Sequence, residues 1–192
     1  GEPSRPLLHL RTFVTRVYSD AGHILGSATV DMRLKEDGGH RLVFSGDIGR
    51  RGLPIIRDPE PPSGPIDTLI IESTYADRAH ESVHDAEQKL GELVTRVAAR
   101  GGKVIIPSFA VGRAQEVVYA LHQLWREQKI PDIPIFVDSP LAVDATTVFR
   151  MHPEVFDRRE RLVDDGHALF DFPLLRYVRS VIESKKINAM NG

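Results

Sequence analysis

The hydrophobic period of the chain changes once, near residue 77, and that change limits the architecture more than any other feature. Before it, apolar residues alternate or run in short blocks. In SATVDMRLK (27–35), Ala28, Val30, Met32 and Leu34 share one face; EDGGH (36–40) is a turn and RLVFSGD returns, so the pair reads as a β-hairpin. Residues 7–20, rich in Val, Phe, Thr and Tyr, read as one or two strands. Five of the thirteen prolines fall in 50–65, which reads as a loop. It leads to IDTLIIES (66–73), an apolar run expected to be a buried strand. After residue 77 the period becomes helical. Val83, Ala86, Leu90, Leu93, Val94 and Val97 form one stripe, opened by Ser82 with Asp85 three residues on and closed by Gly101-Gly102. KVIIPSF (103–109) reads as a strand, VGRAQEVVYALHQLWREQ (111–128) as an amphipathic helix, IPIFVDSP (133–140) as a strand and LAVDATTVFRMH (141–152) as a short helix. A polar stretch follows, with a helix near 178–190. Hairpin material up to 76 is therefore followed by alternating helix and strand, the pattern of a parallel α/β sheet.

Composition narrows the chemistry. With no cysteine, disulfides, thiolate metal sites and thiol nucleophiles are excluded, and any metal must be held by His, Asp or Glu. The same absence suits a reducing cytoplasm, which is the expected location. No run of 18 apolar residues exists, so no membrane span is expected. The opening GEPSRPLLHL lacks the pattern of a secretory leader and has no initiating Met, so the chain is not expected to begin at a natural N-terminus. The net charge of −2 means that any surface for a polyanion must be local.

Three residues before the change of period stand in suggestive places. His23, in DAGHILGS, lies between Gly22 and Gly26, which leave room for a sharp turn and an imidazole aimed into a cleft; the glycines equally fit a simple turn. Asp20 could orient that ring. Asp47, in FSGDIG, ends a strand. Aspartate beside glycine ordinarily caps a turn, yet a strand-end carboxylate on the same hairpin as His23 also suits a hard or borderline cation. Glu72 ends the run DTLII, where α/β sheets gather ligands, or else caps the next turn. Beyond them, Ser108 and Arg113 flank a helix start where free amides could hold an anion, and Ser139 opens the next helix in the same way; helix capping and a solvated arginine are the plainer roles. His80 and His84, four residues apart, could share a helix face but have no third partner and read as surface residues, and His9, His40, His122, His152 and His167 are isolated.

Taken in order, DAGHILGSA, VFSGDIGR, LIIESTYADR, KVIIPSFAVGRAQE and IFVDSPLA resemble the β-CASP branch of the metallo-β-lactamase superfamily, the RNA-processing nucleases that include ribonuclease J and the endonuclease of mRNA 3′-end formation. The resemblance runs from about His9 to the C-terminus. It implies residues 1–76 as the C-terminal part of the first metallo-β-lactamase half, one β-hairpin layer of an αββα sandwich, and residues 77–192 as a β-CASP parallel α/β domain, incomplete at its C-terminus. It implies two zinc ions per complete site and hydrolysis of an RNA phosphodiester, with His23 as one zinc ligand and Asp47 as the carboxylate that bridges both metals. Glu72 would match the acidic motif that positions a proton-donating histidine, and Ser108, Arg113 and Ser139 would touch single-stranded RNA.

The family's HxHxDH string is absent, and its later histidines would follow residue 192, so the chain is expected to be a central piece of a longer protein. One His and one Asp fall short of the roughly three protein ligands that a catalytic zinc takes. Weak zinc binding and little RNA cleavage are therefore expected of the chain alone, together with self-association of its uncovered sheet. A catalytically inert RNA-binding relative and a hydrolase of small esters are the alternatives; the α/β half beyond residue 77 weighs against the second. A basic track of Arg50, Arg51, Arg78, Arg113, Arg176 and Arg179 would answer the near-neutral charge.

Overall fold

The computed structural model describes residues 14–35, 39–157 and 168–190. The first sheet holds four strands in chain order: β1 (Val14–Asp20), β2 (Ala28–Leu34), β3 (His40–Phe44) and β4 (Thr68–Ile70). Its first two pairs are antiparallel and the third is parallel; the register aligns Tyr18, Val30, Phe44 and Ile70 in one row. The hairpin expected from the alternation of 27–44 is therefore present, while residues 7–13 and the turn at 36–38 lie outside the described residues. Hydrogen bonds from Arg41 fasten the hairpin to the proline-rich loop. Arg41, paired with Asp31 at 2.6 Å, donates from Nη1 to the carbonyls of Ser63 and Pro65 at 2.6 and 3.0 Å. Its backbone amide donates to Asp67 at 2.7 Å.

Two expectations about strands need correction. The run IDTLIIES forms only a three-residue strand, and it is not buried: Leu69, Ile70 and Ile71 are 48, 50 and 59% exposed. KVIIPSF forms no ladder with any described residue, and Ile105 and Phe109 are each 85% exposed. Both segments have strand composition, but a strand is made by its neighbours, and the described residues supply β4 with one and 103–109 with none.

The helical half follows the periodicity closely. Helix α1 (Val83–Ala98) starts at Ser82, whose Oγ accepts the Asp85 amide; α2 (Arg113–Arg126) and α3 (Pro140–Met151) follow, α3 capped by Ser139. Strands β5 (Ile135–Asp138) and β6 (Leu175–Val178) pair in parallel across α3, and α4 (Val181–Ala189) ends the described chain. Gly91 of α1 brings that helix close to α2: a Cβ there would lie 3.1 Å from Leu124 Cδ2. Val94, Leu121, Leu124 and Ile130 form the small core between them.

The main core lies under α2 and α3, and two segments read as loop or polar stretch supply much of it. Phe156, Leu169, Phe170, Phe172 and Leu175 come from the region after α3, with Phe156 and Phe170 fully buried and packed edge-to-face at 6.5 Å. Ile55 and Ile56 come from the proline-rich loop and enter the same core. They are held there by an antiparallel bridge between Ile56 and Phe156 and by the Asp157 amide donating to the Ile55 carbonyl at 2.8 Å. His122, isolated in sequence, is buried and stacks on Phe172 with centroids 4.5 Å apart.

Candidate functional site

Three loops converge at the end of the first sheet, and close backbone approach is what joins them. The turn 21–27 is closed on itself. The Ala21 amide donates to the Ser27 carbonyl at 3.1 Å, and Ser27 Oγ accepts the amides of His23 and Ile24 at 3.0 and 3.2 Å. The loop after β3 then lies directly on it: the Gly49 amide donates to the Ala21 carbonyl at 2.8 Å. A Cβ at Gly49 would overlap the Gly22 carbonyl and come 2.8 Å from the His23 nitrogen, so only glycine permits that approach. The segment after β4 completes the group. The Glu72 carboxylate accepts the Ile48 amide at 2.5 Å, the Glu72 amide donates to Ser45 Oγ at 3.1 Å, and the Ser45 amide donates to the Ile70 carbonyl at 2.9 Å.

His23 and Asp47 thus lie on adjoining loops, both exposed, with half-buried Glu72 tied to the residue after Asp47. The Ile48 amide chiefly, and Thr74 next, hold the Glu72 carboxyl below the usual carboxylate range; burial opposes them and the nearby His23 adds to them. Ionised in this way, Glu72 accepts hydrogen bonds and orients donors; it is poorly suited to give up a proton at neutral pH. The Asp20 carboxylate pairs with Arg57 at 3.1 Å.

The other candidates come from the helical half. Gly112, immediately before Arg113, rests against Ile24, which brings the start of α2 beside the His23 turn. Arg113 itself pairs with Glu116 of its own helix at 2.8 Å. Ser139 Oγ accepts the Ala142 amide at 3.2 Å and so caps α3, while Ser108, exposed, makes a long 3.5 Å bond to the Ile106 carbonyl. The starts of α2 and α3 are neighbours, because Gln115 of α2 donates to the Ala142 carbonyl at 3.3 Å and to Thr146 Oγ1 at 2.9 Å. Of the basic track, Arg78 and Arg179 are paired with Asp77 and Asp144, and Arg50 and Arg176 donate to backbone carbonyls.

Among the described residues, no group of three or more His, Asp or Glu is arranged to hold a metal ion. One imidazole and one carboxylate, His23 and Asp47, are fewer ligands than a catalytic zinc takes. Ser27, Gly49, Ile24 and Gln115 were not singled out in the sequence; Gly49 follows Asp47 by two residues, and that spacing was the one available signal.

Residues 114–192 match the family model described as the Beta-Casp domain. The chain is 32% identical over 169 residues to an endoribonuclease YSH1 of Kluyveromyces lactis, an alignment covering 85% of this chain and 22% of the relative. It is 39% identical over 126 residues to ribonuclease TTHA0252 of Thermus thermophilus, covering 65% of this chain and 28% of that protein. To the transcription termination factor FttA of Methanothermobacter thermautotrophicus it is 33% identical over 174 residues, covering 88% of this chain and 27% of the factor. The chain therefore spans 22–28% of the length of these relatives.

Proposed function

Since the chain belongs to the β-CASP family of RNA-processing nucleases, we propose that it forms one wall of the active site of a zinc-dependent ribonuclease. The observation that supports this reading most is the seating of the Gly49 loop on the His23 turn, which sets an imidazole and a carboxylate on adjoining exposed loops. In this reading His23 would be a ligand to one zinc and Asp47 would serve both ions, with the remaining ligands supplied by other segments of the whole protein. Residues 1–76 are then part of a metallo-β-lactamase sandwich layer, and 77–192 a β-CASP domain.

Bound zinc would supply Lewis acidity and a more acidic water. The chain's own residues do the rest. Glu72, kept ionised by Ile48 and Thr74, fixes the loop after Asp47 and orients a proton donor towards the leaving oxygen. Arg113, with Ser108 and Ser139 beside it in this reading, would meet a phosphate of single-stranded RNA through side-chain donors, because the Gly112, Arg113, Ala114 and Ala142 amides are already bonded within the chain.

The test uses the whole protein. His23→Ala and Asp47→Ala should each abolish RNA cleavage and lower bound zinc, while the RNA affinity of zinc-free protein stays near that of the parent. Cleavage that survives both substitutions would overturn the assignment. An inert RNA-binding relative would give RNA retention without cleavage in the parent as well.

A further inference from the structure

The turn that carries His23 is gripped on two sides by groups rooted in the helical core. On one side stands Gly112, at φ +82°, where a Cβ would lie 2.6 Å from Ile24 Cγ2. Gly112 is itself fixed. Its amide donates to Gln115 Oε1 at 2.8 Å, and Gln115, 1% exposed, donates in turn to Ala110, Ala142 and Thr146. On the other side, the chain leaves the core at Ile55–Ile56 and runs back to the turn. Arg57 pairs with Asp20, the Glu60 amide donates to the Asp20 carbonyl at 2.8 Å, and Pro59 packs so tightly on Gly22 that a Cβ there would lie 2.6 Å from its nitrogen.

We propose that Ile24 is a positioning residue: its Cγ2, seated on Gly112, sets the turn that presents His23, so that the helical core fixes the imidazole relative to Asp47. This rests on the reading of His23 and Asp47 given above. Close-packed contacts of this kind leave no slack, so a shift of the α2 start is passed directly to residues 22–24. The dependence is mutual, because a cation held by His23 and Asp47 tightens the same contact from the other side.

Ile24→Ala and Ile24→Val in the whole protein separate positioning from simple packing, since valine keeps a methyl at the Cγ2 position. Three quantities are read: amide hydrogen exchange across residues 21–27, zinc affinity by calorimetry, and the thermal midpoint. Ile24→Ala should speed exchange within 21–27 by about tenfold and weaken zinc roughly 10–100-fold, the range seen when groups supporting a metal ligand are removed. Ile24→Val should behave as the parent, and exchange elsewhere should stay unchanged in both. Unchanged exchange and zinc affinity in Ile24→Ala would overturn the proposal, and so would exchange that rises evenly through the chain. A parent protein that takes up no zinc would refute the functional reading alone; local exchange would then still decide the role of Ile24 in either direction.

Discussion

Gln115 illustrates how much of this structure rests on single buried side chains. Its amide satisfies the first turn of α2 and reaches α3, with every partner internal. Gln115→Leu keeps the bulk but strands the buried Gly112 amide, while Thr146 keeps its bond to the Ala142 carbonyl; the cost is about 1–3 kcal/mol for the one group left unpaired, readable as a lower urea midpoint. Ile55 poses the opposite balance. A β-branched residue at φ +78° is strained by on the order of 1–2 kcal/mol, which glycine would relieve. Its 2%-exposed side chain, however, resists truncation by about 2–5 kcal/mol, so Ile55→Gly should still destabilise in the same measurement. Asp31 adds a pH dependence. The hydrogen bond from Arg41, aided by the charges of Arg41 and Arg33, holds its carboxyl below the ordinary value. A depressed folded-state value means that this stabilisation is complete above about pH 4 and is lost as pH falls towards the folded value. Asp31→Asn should therefore flatten stability against pH in that acid range. Neither Gln115 nor Ile55 could be read from the sequence. Gln115 is one polar residue on an amphipathic helix, and Ile55 sits among prolines where local pattern carries no long-range information.

At the level of elements, helices were legible and strands only in part. Helices α1, α2 and α3 follow from a local period with caps at Ser82 and Ser139, and the β2–β3 hairpin from local alternation. Ser82→Ala should cost about 1 kcal/mol, measurable by thermal unfolding. The core after α3 is not legible because Phe156 stands far from Leu169, Phe170 and Phe172 in sequence and no sustained period links them; they meet only through tertiary packing. Phe170→Ala should accordingly destabilise by about 3–5 kcal/mol, far more than any cap. The segments 68–71 and 103–109 failed for the reason opposite to the core. The apolar content of 68–71 suggests burial and that of 103–109 a strand, whereas both depend on what faces them. Replacing Ile70 and Ile71 with threonine, which keeps strand propensity, should shift sedimentation of the chain towards smaller species if these residues drive self-association.

For the whole molecule, the site is where two kinds of sequence signal meet. The glycines of DAGHILGS and SGDIG announce tight turns, but not that Gly49 seats against Gly22 or that Gly112, far along the chain from His23, closes on Ile24. Such contacts are set by the docking of the sheet against the helical core, which no local window contains. Zinc titrated into the chain alone should give weak binding. Tight stoichiometric uptake would show that two donors suffice, or that others complete the set.

The change of period at residue 77 invites a division of the gene at that point. Ile55 and Ile56 argue against it, because they are a plug belonging to one side of that line and lodged in a socket on the other. A helical piece starting at 77 would begin life with its socket open to water, whereas one starting ahead of Leu53 would carry the plug with it. Any cut that is to keep this socket filled must leave residues 53–56 on the helical side, even though β4 and Glu72, further along the chain, stay tied to the first sheet.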